Sequence, residues 1–259
     1  MSEYTEPAIT VNHDGHVGVI ELNRPPHNFF DLAMVSAIAD ALDQLQANKS
    51  CRVVLLQANG SAFCAGANFS GRENPEQRSP TRINPIYQEA LRIFSFGKPI
   101  VAAIEGPAIG GGLGLALTAD FRISCAQARF SANFNRLGFH PGFALSYTLP
   151  SLIGKQMAAW MFYTGARIDG DRAKEIGLVD FITTREEVRN ASLTLAREIA
   201  TSSPRAVQST RQSVRADILP QIRNAIARES EQQAQHFSSP DLTEGVRAMA
   251  ERRLPVFEN

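Results

Sequence analysis

Cysteine is scarce in this chain: Cys51, Cys64 and Cys125 are the only three among 259 residues. They sit in separate apolar segments without CxxC spacing. That excludes a disulfide framework, predicts buried free thiols, and leaves no cluster with metal-ligand spacing, so no metal is expected. An excess of one charge is equally absent, since 26 Lys+Arg balance 26 Asp+Glu. No tract of like charges stands out. A dedicated nucleic-acid binder needs a basic face to displace counterions, so nucleic acid is not expected as a partner. Neutrality leaves room for one local basic pocket that receives a small anion. No stretch reaches the roughly 18 apolar residues that cross a bilayer, and the first residues lack a basic segment followed by an apolar run. A cytoplasmic protein with no membrane partner is expected. What the chain has is apolar material: 44% of its residues are hydrophobic, enough for one sizeable core.

The opening predicts two strands, Ile9 to Val11 and Val17 to Leu22, around an Asp14-Gly15 turn. Asp31 is placed to cap a helix whose apolar residues Leu32, Val35, Ile38, Ala39, Leu42 and Leu45 recur at three and four positions. The run Val53-Val54-Leu55-Leu56 reads as a strand covered on both faces. The alternation continues with a helix around Ile86 to Phe96, a strand Ile100 to Ile104, a helix from the glycine cluster to Ala119, and a strand Phe121 to Ser124. This order predicts a mostly parallel α/β core. A polar stretch rich in Pro and Gly between Asn68 and Pro85 predicts a long surface loop of the kind that forms lids. From Asp169 onward the pattern is helical, with one more strand at Val179 to Ile182. Ser203-Pro204 and Ser239-Pro240 mark helix starts. The expected division is a core over 1–200 and a helical region over 201–259 that covers the core or a neighbouring subunit.

The strongest local feature is a strand, a glycine-rich turn and an apolar helix, from Ile100 through Glu105-Gly106 to Gly110-Gly111-Gly112-Leu113-Gly114. Glycines let a ligand approach the backbone, and the first amides of the helix lack intrahelical acceptors and carry the positive end of its dipole. Close packing of helix on strand explains the same glycines equally well. Nucleotide motifs fail on spacing: no Gly-Lys-Ser/Thr follows, and GxGxxG cannot be fitted. A second small-residue turn, Ser61-Ala62-Phe63-Cys64-Ala65-Gly66-Ala67-Asn68, follows the preceding strand in the same topological position. Two such turns can set two backbone amides on one oxygen, the geometry of an oxyanion hole.

The blocks Phe63-Cys-Ala-Gly-Ala-Asn68, Lys98-Pro-Ile-Val-Ala-Ala-Ile-Glu-Gly-Pro-Ala-Ile-Gly-Gly-Gly112, Ala119-Asp-Phe-Arg-Ile-Ser124 and Thr164-Gly-Ala-Arg-Ile-Asp-Gly170 resemble the crotonase (enoyl-CoA hydratase/isomerase) superfamily. The likeness runs from about Val17 to the end. It implies an α/β, crotonase-like spiral of ββα repeats with a C-terminal helical trimerisation region, assembled as a homotrimer or dimer of trimers. It also implies an acyl-CoA thioester substrate, with coenzyme A as part of that substrate and no tightly bound cofactor. The family's oxyanion amides fall on Ala67 and Gly111. The CoA end is expected against His27, Asn28, Phe29, Phe30, Ala65, Asn68 and Phe69, with Gly110, Gly114, Phe134 and Pro141 further along the site. Arg24 or the arginines from Arg72 to Arg82 are expected to meet the phosphates.

The acid/base positions depart from that pattern. Hydratases of the superfamily use two glutamates, whose positions fall here on Gly114 and Phe134, and the usual aspartate after the first turn is Asn68. Neither Gly114 nor Phe134 can transfer a proton, which argues against ordinary hydration and leaves isomerase, hydrolase or decarboxylase chemistry. His140 is the one titratable side chain in the loop Leu137-Gly-Phe-His-Pro-Gly142 and the first proton-transfer candidate, a packed turn histidine being the alternative. Tyr87, Ser146 and Tyr147 are further candidates, each read first as structural, as is Glu105. Cys64 is read as an inert thiol. Phe29, Phe30, Phe134, Phe139 and Phe143 suit an apolar pocket, although such phenylalanines more often form core. A catalytically inactive acyl-CoA-binding homologue is the competing reading.

Overall fold

The computed structural model describes residues 7–69 and 84–258. The expected loop and lid with Arg72 to Arg82 lies outside the described residues. The elements are β1 (Ile9–Asp14), β2 (Val17–Leu22), α1 (Leu32–Ala47), β3 (Val53–Ala58), α2 (Pro85–Phe94), β4 (Ile100–Ile104), β5 (Ala108–Ile109), α3 (Gly111–Ala116), β6 (Phe121–Cys125) and β7 (Arg129–Ser131). They continue with α4 (Leu145–Ile153), α5 (Lys155–Thr164), β8 (Arg167–Asp169), α6 (Gly170–Glu175), β9 (Phe181–Thr183), α7 (Val188–Thr201), α8 (Pro204–Val214), α9 (Ile218–His236) and α10 (Pro240–Ala250).

Local chemistry explains the boundaries. The hairpin β1–β2 turns at Gly15, whose φ of 54° suits glycine. The Asp31 carboxylate accepts the Met34 amide at 2.9 Å and caps α1, which buries Met34, Val35, Ile38, Leu42 and Leu45 on one face. Burial at four consecutive positions of β3 and all five of β4 fits strands covered on both sides. The large sheet runs β1-β2-β3-β4-β6-β9 and is parallel except for the β1–β2 hairpin.

A second, small sheet, β5-β7-β8, explains how the chain builds a spiral. Isolated parallel bridges Phe30↔Ala67 and Cys64↔Ala108 extend it, so the row reads Phe30, Cys64–Ala67, β5, β7, β8. After β2, β3, β4 and β6 the chain crosses from the large sheet into the small one before its next helix. This is the ββα repeat of a crotonase-like α/β spiral, and the fold is confirmed by the structural likenesses given below. The expected helix to Ala119 ends at Ala116, where Leu117 caps it. The last strand begins at Phe181 rather than Val179, because the Leu178 and Val179 amides both turn back onto the Ala173 carbonyl. The small sheet and helices α4 and α5 had no counterpart in the periodicity, since strands of two or three residues carry no readable period.

The C-terminal helices pack on this core. Asp120, after α3, pairs with Arg211 and Arg215 at 2.9 Å each. The α9 helix turns Glu229 and Gln233 inward. Among the described residues, no helix is long and apolar enough to cross a membrane.

Candidate active site

The two small-residue turns meet. A Cβ on Gly66 would lie 2.8 Å from the Ile109 carbonyl oxygen and 3.6 Å from the Gly111 nitrogen, so the first turn lies directly against the start of α3. Gly110 has φ 56° and ψ −123°, a conformation closed to side-chain-bearing residues, and there the chain turns from β5 into α3. The Gly111 amide is the first of that helix and has no acceptor within it. Ala67 is bridged to Phe30, whose amide donates to the Gly66 carbonyl at 3.0 Å. Both explanations of the glycines hold at different positions: Gly110 and Gly111 shape the site, whereas Gly112 packs, a Cβ there falling 2.0 Å from the Cys64 carbonyl oxygen.

The two turns open onto a cavity of about 370 Å³. Of the expected site residues, Phe29, Phe30, Ala65, Ala67, Asn68, Phe69, Gly110, Gly111 and Phe134 line it. His27, Gly114, His140 and Pro141 do not. His27 is exposed at the rim and its carbonyl accepts the Ala65 amide at 2.9 Å. Gly114 is buried beneath Phe143, whose Cβ would be 2.7 Å from a Cβ at position 114. The missing first glutamate therefore has no room in this packing. Pro141 is buried and its carbonyl is 2.8 Å from His140 Nδ1.

His140 is not among the residues that line the cavity. Its amide donates to His236 Nδ1 at 3.2 Å, its carbonyl accepts from Gln233 Nε2 at 2.8 Å, and burial lowers its pKa below the ordinary histidine value. The expected proton-transfer role does not fit that placement, and the structure favours the alternative of a histidine packed in a turn. Arg24 is 5% exposed, with its guanidinium 2.7 Å from the exposed carboxylate of Asp31, a pairing that competes with the expected phosphate role. Glu105 is paired with Arg189 at 2.7 Å. Ser146 serves Glu229, and Tyr147 is not in the lining.

The rest of the wall is aromatic. Phe30 and Phe143 pack with ring centroids 5.7 Å apart, Phe69 and Phe139 at 5.7 Å, Phe134 edge-on to Phe139 at 5.4 Å, and Phe139 to Phe237 at 5.4 Å. The phenylalanines are thus both core and pocket. Among the described lining residues none is Asp, Glu or His; the titratable ones are Tyr87 and Arg167. The Tyr87 hydroxyl donates to Gln233 Oε1 at 2.7 Å.

Sequence reasoning did not read Arg167 on β8 as a site residue, although it lies in a block quoted for the resemblance, and missed Gln233 on α9, Phe237 just beyond it, Val246, Met249 and Ala250 on α10, and Asn133 altogether. Nothing local marks them, because each reaches the cavity only through tertiary packing. It also missed Glu229. That carboxylate is fully buried and accepts from the Ala144 amide at 2.8 Å, the Ser146 amide at 2.9 Å and the Ser146 hydroxyl at 2.6 Å. It caps α4 from another helix. Desolvation pushes its pKa up to about 7 against the opposing hydrogen bonds from Ser146 and Ala144.

The chain as a whole is similar to known proteins. Residues 12–259 match the family model described as Enoyl-CoA hydratase/isomerase. A putative enoyl-CoA hydratase/isomerase of Bacillus subtilis, YngF, is 31% identical over 94% of this chain and 95% of its own. Mouse enoyl-CoA hydratase domain-containing protein 2, mitochondrial, is 33% identical over 96% of this chain and 86% of its own. Among solved structures, an enoyl-CoA hydratase/isomerase from Pseudoalteromonas atlantica superposes with a TM-score of 0.88 at 29% identity, covering 97% of this chain and all (100%) of that one. OdaA of Pseudomonas aeruginosa gives 0.85 at 27% identity, over 94% of this chain and 99% of its own. With the family model matched over residues 12–259 and relatives above 30% identity along nearly the whole length, the chain belongs to the enoyl-CoA hydratase/isomerase family.

Proposed function

We propose that this protein is an acyl-CoA-processing enzyme in which the amides of Ala67 and Gly111 together stabilise the thioester oxygen as an enolate or tetrahedral oxyanion develops. The supporting observation is the contact between the two turns, which fixes both amides before any substrate arrives. A donor held in place costs no reorganisation at the transition state, and one such donor is worth about 10²–10³ in rate. Coenzyme A is part of the substrate, and no other cofactor is required.

Hydration is disfavoured by the wall opposite. It would need a carboxylate to activate water and another acid to protonate the enolate carbon, and the lining carries Phe134 with Gly114 sealed beneath Phe143. Isomerisation, thioester or carbon–carbon hydrolysis, and decarboxylation need fewer groups. The proton-transfer role goes to Tyr87, which opens onto the cavity with its hydroxyl held by Gln233. Assembly as homotrimers belongs to the same reading, and exposed Trp160, Tyr163 and Phe181 supply apolar surface for it.

A panel of acyl-CoA esters followed by mass spectrometry and retention time tests this. Conversion of at least one ester is expected, with Tyr87→Phe lowering turnover about 10²-fold or more while ester affinity stays within about threefold. Absence of CoA-ester binding by calorimetry would overturn the reading. A second reading, an inactive acyl-CoA-binding homologue, is favoured by the lack of any carboxylate or imidazole in the described lining; tight binding with every ester unconverted would establish it.

A further inference from the structure

We propose that Arg167 is a specificity residue that receives an anionic group at the far end of the acyl chain, so that the preferred substrates are CoA monothioesters of short dicarboxylic acids. The inference rests on the acyl-CoA reading above and adds the substrate class.

Position comes first. Across the small sheet the segments run Phe30, Cys64–Ala67, β5, β7, β8, each about 4.8 Å from the next. The Ala67 and Gly111 amides flank the junction of the second and third segments. The CoA-side residues Phe29, Phe30 and Ala65 lie at one edge of the row, and Arg167 opens β8 at the other. In the β7–β8 register Arg167 stands opposite Ser131, whose carbonyl accepts the Gly110 amide at 2.8 Å. Arg167 is therefore two strands from the glycine turn, with β7 between them, at the end of the row away from the CoA-side residues.

The chemistry of the surroundings comes second. The cavity that the glycine turn and Arg167 both line also presents Phe134, Leu137, Phe139, Met249 and Ala250, with Asn133 the polar side chain nearest in sequence to that wall. An acyl chain leaving the thioester would cross apolar surface and then meet a cation. Arg167 is exposed and its guanidinium makes no hydrogen bond or ion pair with any other described residue, whereas those of Arg24, Arg122 and Arg189 around the same core are all paired. A guanidinium offers parallel donors in a plane that match a carboxylate, and the Asn133 amide can add one more. A neutral alkyl end would leave that guanidinium with water alone.

Calorimetry on the full chain with glutaryl-CoA, pentanoyl-CoA and free CoA decides the matter. Glutaryl-CoA is expected to bind about tenfold more tightly than pentanoyl-CoA at low salt. That ratio should fall toward one in Arg167→Met, recover in part in Arg167→Lys, and shrink as salt is added. A ratio near one in the unaltered protein, or one unmoved by Arg167→Met, overturns the proposal. So does an equal weakening of both esters and of free CoA in the variant, which would put Arg167 on the CoA phosphates. If neither ester nor CoA binds the unaltered protein, the acyl-CoA reading itself fails and this inference with it.

Discussion

The cavity wall that carries Ala67, Gly110 and Gly111 is built from main chain and small residues, while the opposite wall, from Phe134 to Phe143, faces it with rings. The first wall is fixed by where side chains are missing: Gly110 adopts a φ only glycine favours, and Gly112 lies so close to Cys64 that no Cβ fits. The second is fixed by side chains and by strain, because Phe143 and Ala144 both have left-handed backbones, with φ of 62° and 59°. Such residues cost roughly 1 kcal/mol or more each and persist where the surroundings hold them. Here the holder is Glu229, which takes the Ala144 and Ser146 amides. The difference teaches that the two walls are held by separate means, one by close main-chain contacts and the other by ring packing and Glu229, so each can be altered without the other.

The largest effect expected from breaking the first wall is that of Gly112→Ala. Its Cβ would fall 2.0 Å from the Cys64 carbonyl oxygen, so backbone must move against backbone and the two turns separate. Turnover of whichever ester is converted should drop about 10²-fold or more, and thermal unfolding should show a loss of about 1–3 kcal/mol. Full activity at unchanged stability would show that the contact between the turns does not set the site. In the second wall, Phe134→Ala removes a ring that is 6% exposed and edge-on to Phe139 at 5.4 Å. Urea unfolding should show a loss of about 3 kcal/mol. A loss well under 1 kcal/mol would mean that the aromatic wall is not a packed unit.

The two walls also differ in how far they were legible in the sequence. The glycine spacing and the strand-turn-helix order marked the two turns, and the resemblance to the superfamily then pointed to Ala67 and Gly111 within them. Gly114 could be recognised as a missing glutamate, but not that Phe143 seals it, since Phe143 lies far along the chain and its left-handed backbone is set by tertiary packing. His140 drew attention as an imidazole in a loop, yet its direction is decided by Gln233 and His236, which the sequence places on a distant helix. Gln233 and Glu229 carry no local motif at all, and Arg167 lies in a block that marks the family without marking a site residue. The large sheet was read nearly complete from runs of buried residues, whereas the small sheet, built from segments of two or three residues, gave no period to detect.

Glu229 supplies a sharper and smaller test of the second wall. Its native pKa is raised to about 7 from 4.5, burial being the chief cause. The native state therefore holds this proton more tightly than the unfolded chain does. Its contribution is fully present below about pH 4.5 and is lost as pH rises through about 7. Between pH 5 and pH 7.5 the stability of the unaltered protein should fall relative to Glu229→Gln, on the order of 2 kcal/mol in urea unfolding at each pH. Parallel pH profiles for the two proteins would remove Glu229 as the group that holds Phe143 and Ala144.

The smallest effect is expected at Cys64, and its smallness is informative. The residue sits in the backbone wall with no exposed surface, its amide donating to the Pro107 carbonyl at 3.1 Å and its carbonyl accepting the Ile109 amide at 3.0 Å. Desolvation pushes its thiol up to about 12, with hydrogen bonding from Gly66 and Phe30 opposing the shift. At pH 8 only about one thiol in ten thousand would be the reactive thiolate, and that fraction is shut away from reagent. Iodoacetamide on the native protein should leave Cys64 unmodified in peptide maps while all three cysteines react in urea. Rapid native labelling would require the Phe63–Ala67 turn to lift from β5, and a turn that opens so readily could not hold the Ala67 amide fixed beside that of Gly111.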